Sequence, residues 1–196
     1  MKNGLVRAIG AGLAISLGMY MYGYSGVKNL FGLGIAAVYL CGFSLFTTYL
    51  PIALITRRND ENLIRDCFTV LLGNLIGTTA SFMFFNYVVK INPLPFIAMA
   101  EAKAAQSAFH LILNGIGVGI IIGTAAILAR KHPQDKNTNV ILYYILVTAF
   151  VVMSGEHVIA NAFTVLFAPH TIGKILVCSL VGNIIGSFLI AETQRG

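Results

Sequence analysis

Apolar residues run through this chain in six long blocks, at about residues 5–22, 30–56, 67–89, 106–129, 140–168 and 175–191. Each block is apolar on all sides. A helix on the surface of a soluble core would show one apolar stripe, and a transmembrane strand would alternate apolar and polar residues. Crossing a bilayer as a helix takes roughly 20 apolar residues. The pattern therefore predicts an all-α membrane protein of six transmembrane helices, folded as a single domain over residues 1–196. Between blocks lie the polar loops 57–62 and 130–136, and the segment 90–103, where Pro93 and Pro95 argue for a loop with a short surface helix.

Two blocks are impure. The fifth carries Met153-Ser-Gly-Glu-His-Val-Ile-Ala-Asn161, which places Glu156, His157 and Asn161 beside the helix-breaking Gly155 in mid-span. An ionised group there costs about 2.5–3.5 kcal/mol on insertion scales, so it marks a functional site by default. The second block holds Ser44, Thr47 and Thr48 ahead of Pro51, which is expected to interrupt the helix. Broken backbone at membrane depth is tolerated only where protein buries it or where it lines a cavity.

The two breaks fit a repeat. Leu72-Gly-Asn-Leu-Ile-Gly77 in the third block matches Val181-Gly-Asn-Ile-Ile-Gly186 in the sixth. The interrupted blocks are the second and the fifth, the middle one of each half. Halves of about 1–97 and 98–196 each hold three spans, an odd number, so one half must be inverted relative to the other. Paired broken helices in inverted repeats point to a central binding or permeation site. The glycines themselves also suit close helix packing.

Composition agrees with a membrane protein. The chain is 57% hydrophobic and only 10% charged, with mean hydropathy +0.82, where a soluble domain carries about 25% charge. A net charge of +6 in a soluble protein would suggest nucleic acid. Here the charges sit in loops, and membrane topology accounts for them without a nucleic-acid partner. With six spans both termini share one side. That side collects Lys2, Arg7, Arg57, Arg58, Arg65, Arg130, Lys131, Lys136 and Arg195, against Lys28, Lys90, Lys103 and Lys174 on the other. The positive-inside rule then places both termini in the cytoplasm and the protein in the inner membrane. Residues 1–24 could be read as a signal peptide, but the apolar stretch is long and lacks a clear cleavage site, and it is read as the first span. Cys41, Cys67 and Cys178 have no metal-ligand spacing and read as small buried residues. No metal or cofactor is expected.

The candidate chemistry centres on the fifth block. His157 and Asn161, four apart, would share a helical face, whereas Glu156 and His157 would point about 100° apart. At most one of these two faces a given pore. A desolvated imidazole stays neutral, and can hydrogen-bond a weak-acid anion or relay a proton. Glu156 reads as a brace for broken backbone, together with Gly155. The plain alternative makes His157 a satisfied packing residue. Leu45, Phe46 and Thr47 suit a hydrophobic constriction, or ordinary packing with capping threonines. Asn114, inside the fourth block, could join a pore network or hold a neighbouring helix. Two other classes compete. An intramembrane enzyme would use Glu156 and His157 as acid and base, but no nucleophile pair or H-E-x-x-H motif accompanies them. A channel for water or neutral solutes would carry Asn-Pro-Ala at both broken helices, and that tripeptide is absent.

Taken together, the motifs resemble those of the formate–nitrite transporters, a family that includes hydrosulfide channels. Cys41-Gly-Phe-Ser-Leu-Phe-Thr47 looks like the family's loop in span two. Gly73-Asn-Leu-Ile-Gly77 and Gly182-Asn-Ile-Ile-Gly186 match its span-three and span-six signatures, and Ser154-Gly-Glu-His-Val-Ile-Ala-Asn161 its span-five signature. The resemblance covers nearly the whole chain and implies an aquaporin-like fold in a homopentamer with one pore per protomer. It implies that Leu45, Phe46 and Thr47 line the cytoplasmic side of the pore and Phe150 the periplasmic constriction. His157 would be the central histidine, interacting with Thr47 and Asn114, and Lys103 a vestibule lysine that draws anions in. Small monovalent anions of weak acids would pass. The chain departs from the family pattern in its short loops, in Thr48-Tyr49, and in lacking a bulky residue between Gly155 and Glu156.

Overall fold

The computed structural model describes residues 2–194; Arg195, counted above among the charges, lies outside them. The described residues form α1 (Lys2–Ser25), α2 (Phe31–Leu40), α3 (Phe46–Thr56), α4 (Leu63–Met83), α5 (Leu94–Ala104), α6 (Ala108–Lys131), α7 (Lys136–Val152), α8 (Val158–Val165) and α9 (Ile172–Glu192). Among the described residues four stretches are long and apolar enough to cross a membrane: Gly4–Ser25, Leu63–Val89, Ala108–Lys131 and Pro169–Glu192. They correspond to α1, to α4 with a wider π-type turn over Phe84–Val89, to α6, and to α9 with its leading 3-10 turn. The other two blocks are each split, into α2 with α3 and α7 with α8.

The two splits have the same construction. α2 ends as the N–H groups of Cys41, Gly42 and Phe43 bond back to the carbonyls of Ala37, Tyr39 and Val38. α7 ends as those of Met153, Ser154 and Gly155 bond to Ala149, Val151 and Phe150. Each is a left-handed helix stop of the Schellman type. The left-handed residue is Gly42 (φ +63°) in one and Ser154 (φ +59°) in the other, each four residues before the next helix begins. The expectation that Pro51 breaks the second span is therefore corrected. Pro51 lies inside α3, and the break precedes it at residues 41–45. The missing N–H of Pro51 withholds an i+4 donor from the Thr47 carbonyl, a local loss near the helix start rather than a stop.

α1 packs along α4, and α6 along α9. Both pairs approach at the repeated motif. A Cβ on Gly77 would collide with the carbonyl oxygen of Ile9, and one on Gly186 with that of Ile116. The short helices after the breaks cross between halves: α3 packs on α6 and α9, and α8 on α4 and α1. Outward faces carry exposed Leu13, Leu17, Leu72, Ile76, Ile185 and Leu189, an apolar surface suited to lipid or to other copies.

Two further expectations change. Residues 94–104 form a full helix, α5, so a boundary between 97 and 98 falls inside it. Phe96 of α5 is fully buried, stacked on Phe167 and edge-on to Phe163. Cys67 and Cys178 are buried, as expected of small apolar-like residues, but Cys41 is exposed because it ends α2 at the break.

The glycine contacts make a direct test. Gly77→Ala and Gly186→Ala should each lower the unfolding temperature in detergent by several degrees, in keeping with about 1–3 kcal/mol for overpacking. Gly173→Ala, where a Cβ meets open space, should leave it at or above that of the parent. Equal stability of all three variants would remove the close approach.

Candidate functional site

His157 is the cap of α8. Its backbone is extended, and its Nδ1 accepts the Ala160 N–H at 3.1 Å. An imidazole nitrogen that accepts carries no proton, so the proton sits on Nε2 and the ring is neutral. Nε2 lies 2.8 Å from Thr47 Oγ1 and donates to it. Thr47 stands in the first turn of α3, so this bond joins the N-terminal turns of the two short helices. Both side chains are buried. Since Thr47 Oγ1 accepts from the histidine, its own proton remains free to donate.

An asparagine braces each break. Asn74 of α4 accepts the Phe46 N–H at 2.8 Å and donates to the carbonyls of Ser44 and Ala8, each at 2.8 Å. Asn183 of α9 accepts the Val158 N–H at 2.9 Å and donates to the carbonyls of Glu156 and Gly115, at 2.8 and 2.9 Å. These are the asparagines of the repeated Gly-Asn motif. Each satisfies the first N–H of a short helix, a carbonyl in the break and a carbonyl on the neighbouring long helix. Such groups left unpaired in a dry interior cost about 1–3 kcal/mol each.

Glu156 and His157 take different partners, yet both line the same cavity. This corrects the expectation that at most one would face it, because both lie in the break ahead of α8 rather than on a helix. Glu156 is fully buried. Both of its oxygens accept from Lys103 Nζ at 2.7 Å, and one also accepts from Asn161 Nδ2 at 2.6 Å. Asn161 Nδ2 bonds Ser179 Oγ as well, at 2.6 Å. Glu156, Lys103 and Asn161 thus form a buried network separate from the His157–Thr47 bond. No acid–base pair forms between Glu156 and His157. Lys103 reaches the site from α5 and is neutralised there, so it does not present a free positive charge.

The sequence matches the formate/nitrite transporter family over residues 1–193. The chain belongs to the formate/nitrite transporter family. Its structure is similar to that of a pentameric formate channel with formate bound, with TM-score 0.85, 19% identity, and 98% of this chain and 95% of the other covered. It is also similar to an ion channel of the same family, with TM-score 0.87, 17% identity and coverage of 98% and 88%. No curated protein matches the sequence significantly. The protein is accordingly a multi-pass membrane protein.

In this family member His157 lines a cavity of about 200 Å³ together with Phe31, Phe150, Lys103, Glu156 and Asn161. Phe150 lies 6.1 Å from His157 between ring centres and nearly parallel to it, and Phe31 stands edge-on to both, at 5.8 and 6.5 Å. Sequence reasoning missed Phe31, one apolar residue among many at the start of the second block. Leu45 is fully buried at the N-terminus of α3. Phe46 departs from expectation. It opens on a different, apolar cleft with Leu63, Cys67, Phe68, Leu180 and Ile184, because its side chain leaves α3 toward α4 and α9. Asn114 also departs. His157 bonds Thr47 and Ala160, while Asn114 lines a neighbouring cavity with Met153, Phe150 and Gly155, the last two of which also line the His157 cavity. Gly155 has a steric reason: a Cβ there would sit 2.5 Å from Val118.

The matched breaks predict substitutions of opposite sign. A left-handed conformation strains any residue with a Cβ by roughly 1–2 kcal/mol. Ser154→Gly should therefore raise the unfolding temperature in detergent, while Gly42→Ala should lower it. A drop for both would show that the Ser154 side chain matters more than its backbone.

Proposed function

We propose that this protein is a channel for small monovalent anions of weak acids, such as formate, nitrite or hydrosulfide. In this reading it is an inner-membrane homopentamer with one pore per protomer. Six spans form an inverted, aquaporin-like pair of three-helix halves with both termini cytoplasmic. The observation that carries it is the Thr47–His157 hydrogen bond, which joins two short helices N-terminus to N-terminus between apolar layers. Helix N-termini carry partial positive charge, so the midpoint attracts an anion without a metal or a fixed cation.

In this reading Phe31 and Phe150, packed around His157, close one side of that midpoint, and the buried Leu45 closes the other. A bare carboxylate meets a steep desolvation penalty in such surroundings, whereas the neutral acid meets little. The anion therefore passes the apolar layers as its conjugate acid, its proton taken from water, while Thr47 donates a hydrogen bond through the hydroxyl that its bond to His157 leaves uncommitted. Glu156 and Lys103 act as a fixed brace rather than in transport. The substrates named in the neighbouring structure support this class and do not choose within it.

Proteoliposome flux of formate, nitrite, hydrosulfide, acetate and lactate across pH tests the reading. At least one of the three smallest anions should pass faster than lactate, with flux rising as pH falls. His157→Ala should reduce that flux at least tenfold or flatten its pH dependence. A parent protein that carries none of these anions overturns the channel reading; unchanged flux and pH profile in His157→Ala remove the histidine from the mechanism.

A further inference from the structure

A second cavity lies at the opposite end of the short-helix junction, and none of its lining residues touches the His157 cavity. It measures about 380 Å³ and is lined by Tyr39, Thr48, Tyr49, Arg130 and Tyr143 among others. A smaller hollow of about 240 Å³ shares Tyr39, Thr48 and Tyr143 and extends to Ile35 and Val38, toward the apolar layer. No carboxylate lines either space.

Its polar groups are donors in search of acceptors. A phenol has one proton to give. Tyr39 Oη accepts from Asn139 Nδ2 at 2.9 Å, and the same amide donates to the His132 carbonyl at 2.8 Å, which fixes its orientation. The Tyr39 proton is thereby left over. Tyr49 Oη accepts from Arg57 Nη1 at 2.9 Å, and an arginine cannot accept in return, so the Tyr49 proton is left over too. Tyr143 is 5% exposed and hydrogen-bonds no described residue. Buried phenols ordinarily find a partner. Only Thr48 is spent, its hydroxyl donating to the Leu45 carbonyl at 3.0 Å.

The charge points the same way. Arg130 makes no ion pair or hydrogen bond with the described residues, yet it stands at the cavity mouth. Two of the nearby acids are engaged elsewhere, Arg57 holding Asp60 at 2.6 Å and Asp66 at 2.8 Å, and Asp135, just past Pro133, does not line the cavity. The Asn62 backbone N–H and the Arg57 guanidinium hold the Asp60 carboxyl below its usual range, so it stays ionised and committed to Arg57.

We propose that this cavity is a second anion site, which takes a small monovalent oxyanion such as a carboxylate on Arg130 and the hydroxyls of Tyr39, Tyr49 and Tyr143. As the capture site on the cytoplasmic side of the pore it rests on the channel reading. Its recognition chemistry does not: three uncommitted O–H donors and one unpaired guanidinium, with no acid among them, match an oxyanion.

The chain has 8 tyrosines and no tryptophan, so its ultraviolet emission reports on phenols. Purified protein in detergent is titrated with sodium formate, replacing chloride at constant ionic strength. A saturable change in emission is expected, with half-saturation raised about tenfold in Tyr143→Phe and in Arg130→Gln, as for a lost hydrogen bond to a charged group. In vesicles of one orientation, both variants should raise the formate concentration for half-maximal flux from the Arg130 side only. Lys131→Gln, whose amine bonds Gln194 outside the cavity, should match the parent in both assays. Unchanged half-saturation in both variants, or no saturable change in the parent, overturns the site. Anion flux with no effect of either variant sinks the site and spares the channel. A titration that responds in a protein carrying no anion sinks the channel and spares the site.

Discussion

A peptide group that leaves a helix inside a bilayer has no water to turn to, and the rest of this structure is arranged around that need. Two five-residue gaps expose such groups at the middle of the molecule. Asn74 and Asn183 answer for them, each with one acceptor and two donors placed between a gap and a neighbouring long helix. An amide is one of the few side chains able to do both jobs at once. The long helices must then lie close enough for a short side chain to reach across, which the glycines of the same motif permit. Packing, backbone satisfaction and the placing of α3 and α8 are one constraint rather than three.

Much of this could be read from the residues. Block length and apolarity located the four long apolar helices, and the duplicated Gly-Asn motif marked the two asparagines that brace the breaks. The polar residues in blocks two and five located the breaks to within a turn. What could not be read were distances between residues far apart in the chain. Pro51 drew attention because proline is the loudest local signal, but the stop is made by a left-handed residue, and Ser154 gives no hint of one. Phe31 looked like any apolar residue until the fold set it against Phe150. Asn114 is polar within an apolar block, yet His157 bonds Thr47 and Ala160 instead, and Phe46 points from α3 toward α4 and α9.

The electrostatics divide along the proposed passage. On one side the only cation in the cavity, Lys103, is bound by Glu156; at the centre the histidine is neutral by virtue of its cap. On the other side Arg130 keeps its charge unanswered. In the proposed channel, attraction at the midpoint is left to helix ends and hydroxyls, and conduction requires such binding to stay weak enough for release.

The pairing of Lys103 with Glu156 also changes what kind of segment α5 is. By sequence it connects two halves, and connectors usually accept inserted or deleted residues. Here it delivers the single counter-ion for a carboxylate with no exposure to solvent. Lengthening this connector by even one residue ahead of Lys103 would rotate the ammonium off its partner and strand a charge in apolar surroundings. The linker of this molecule is therefore among its least editable parts, and a fusion or tag would be better placed in one of the polar loops at the other end.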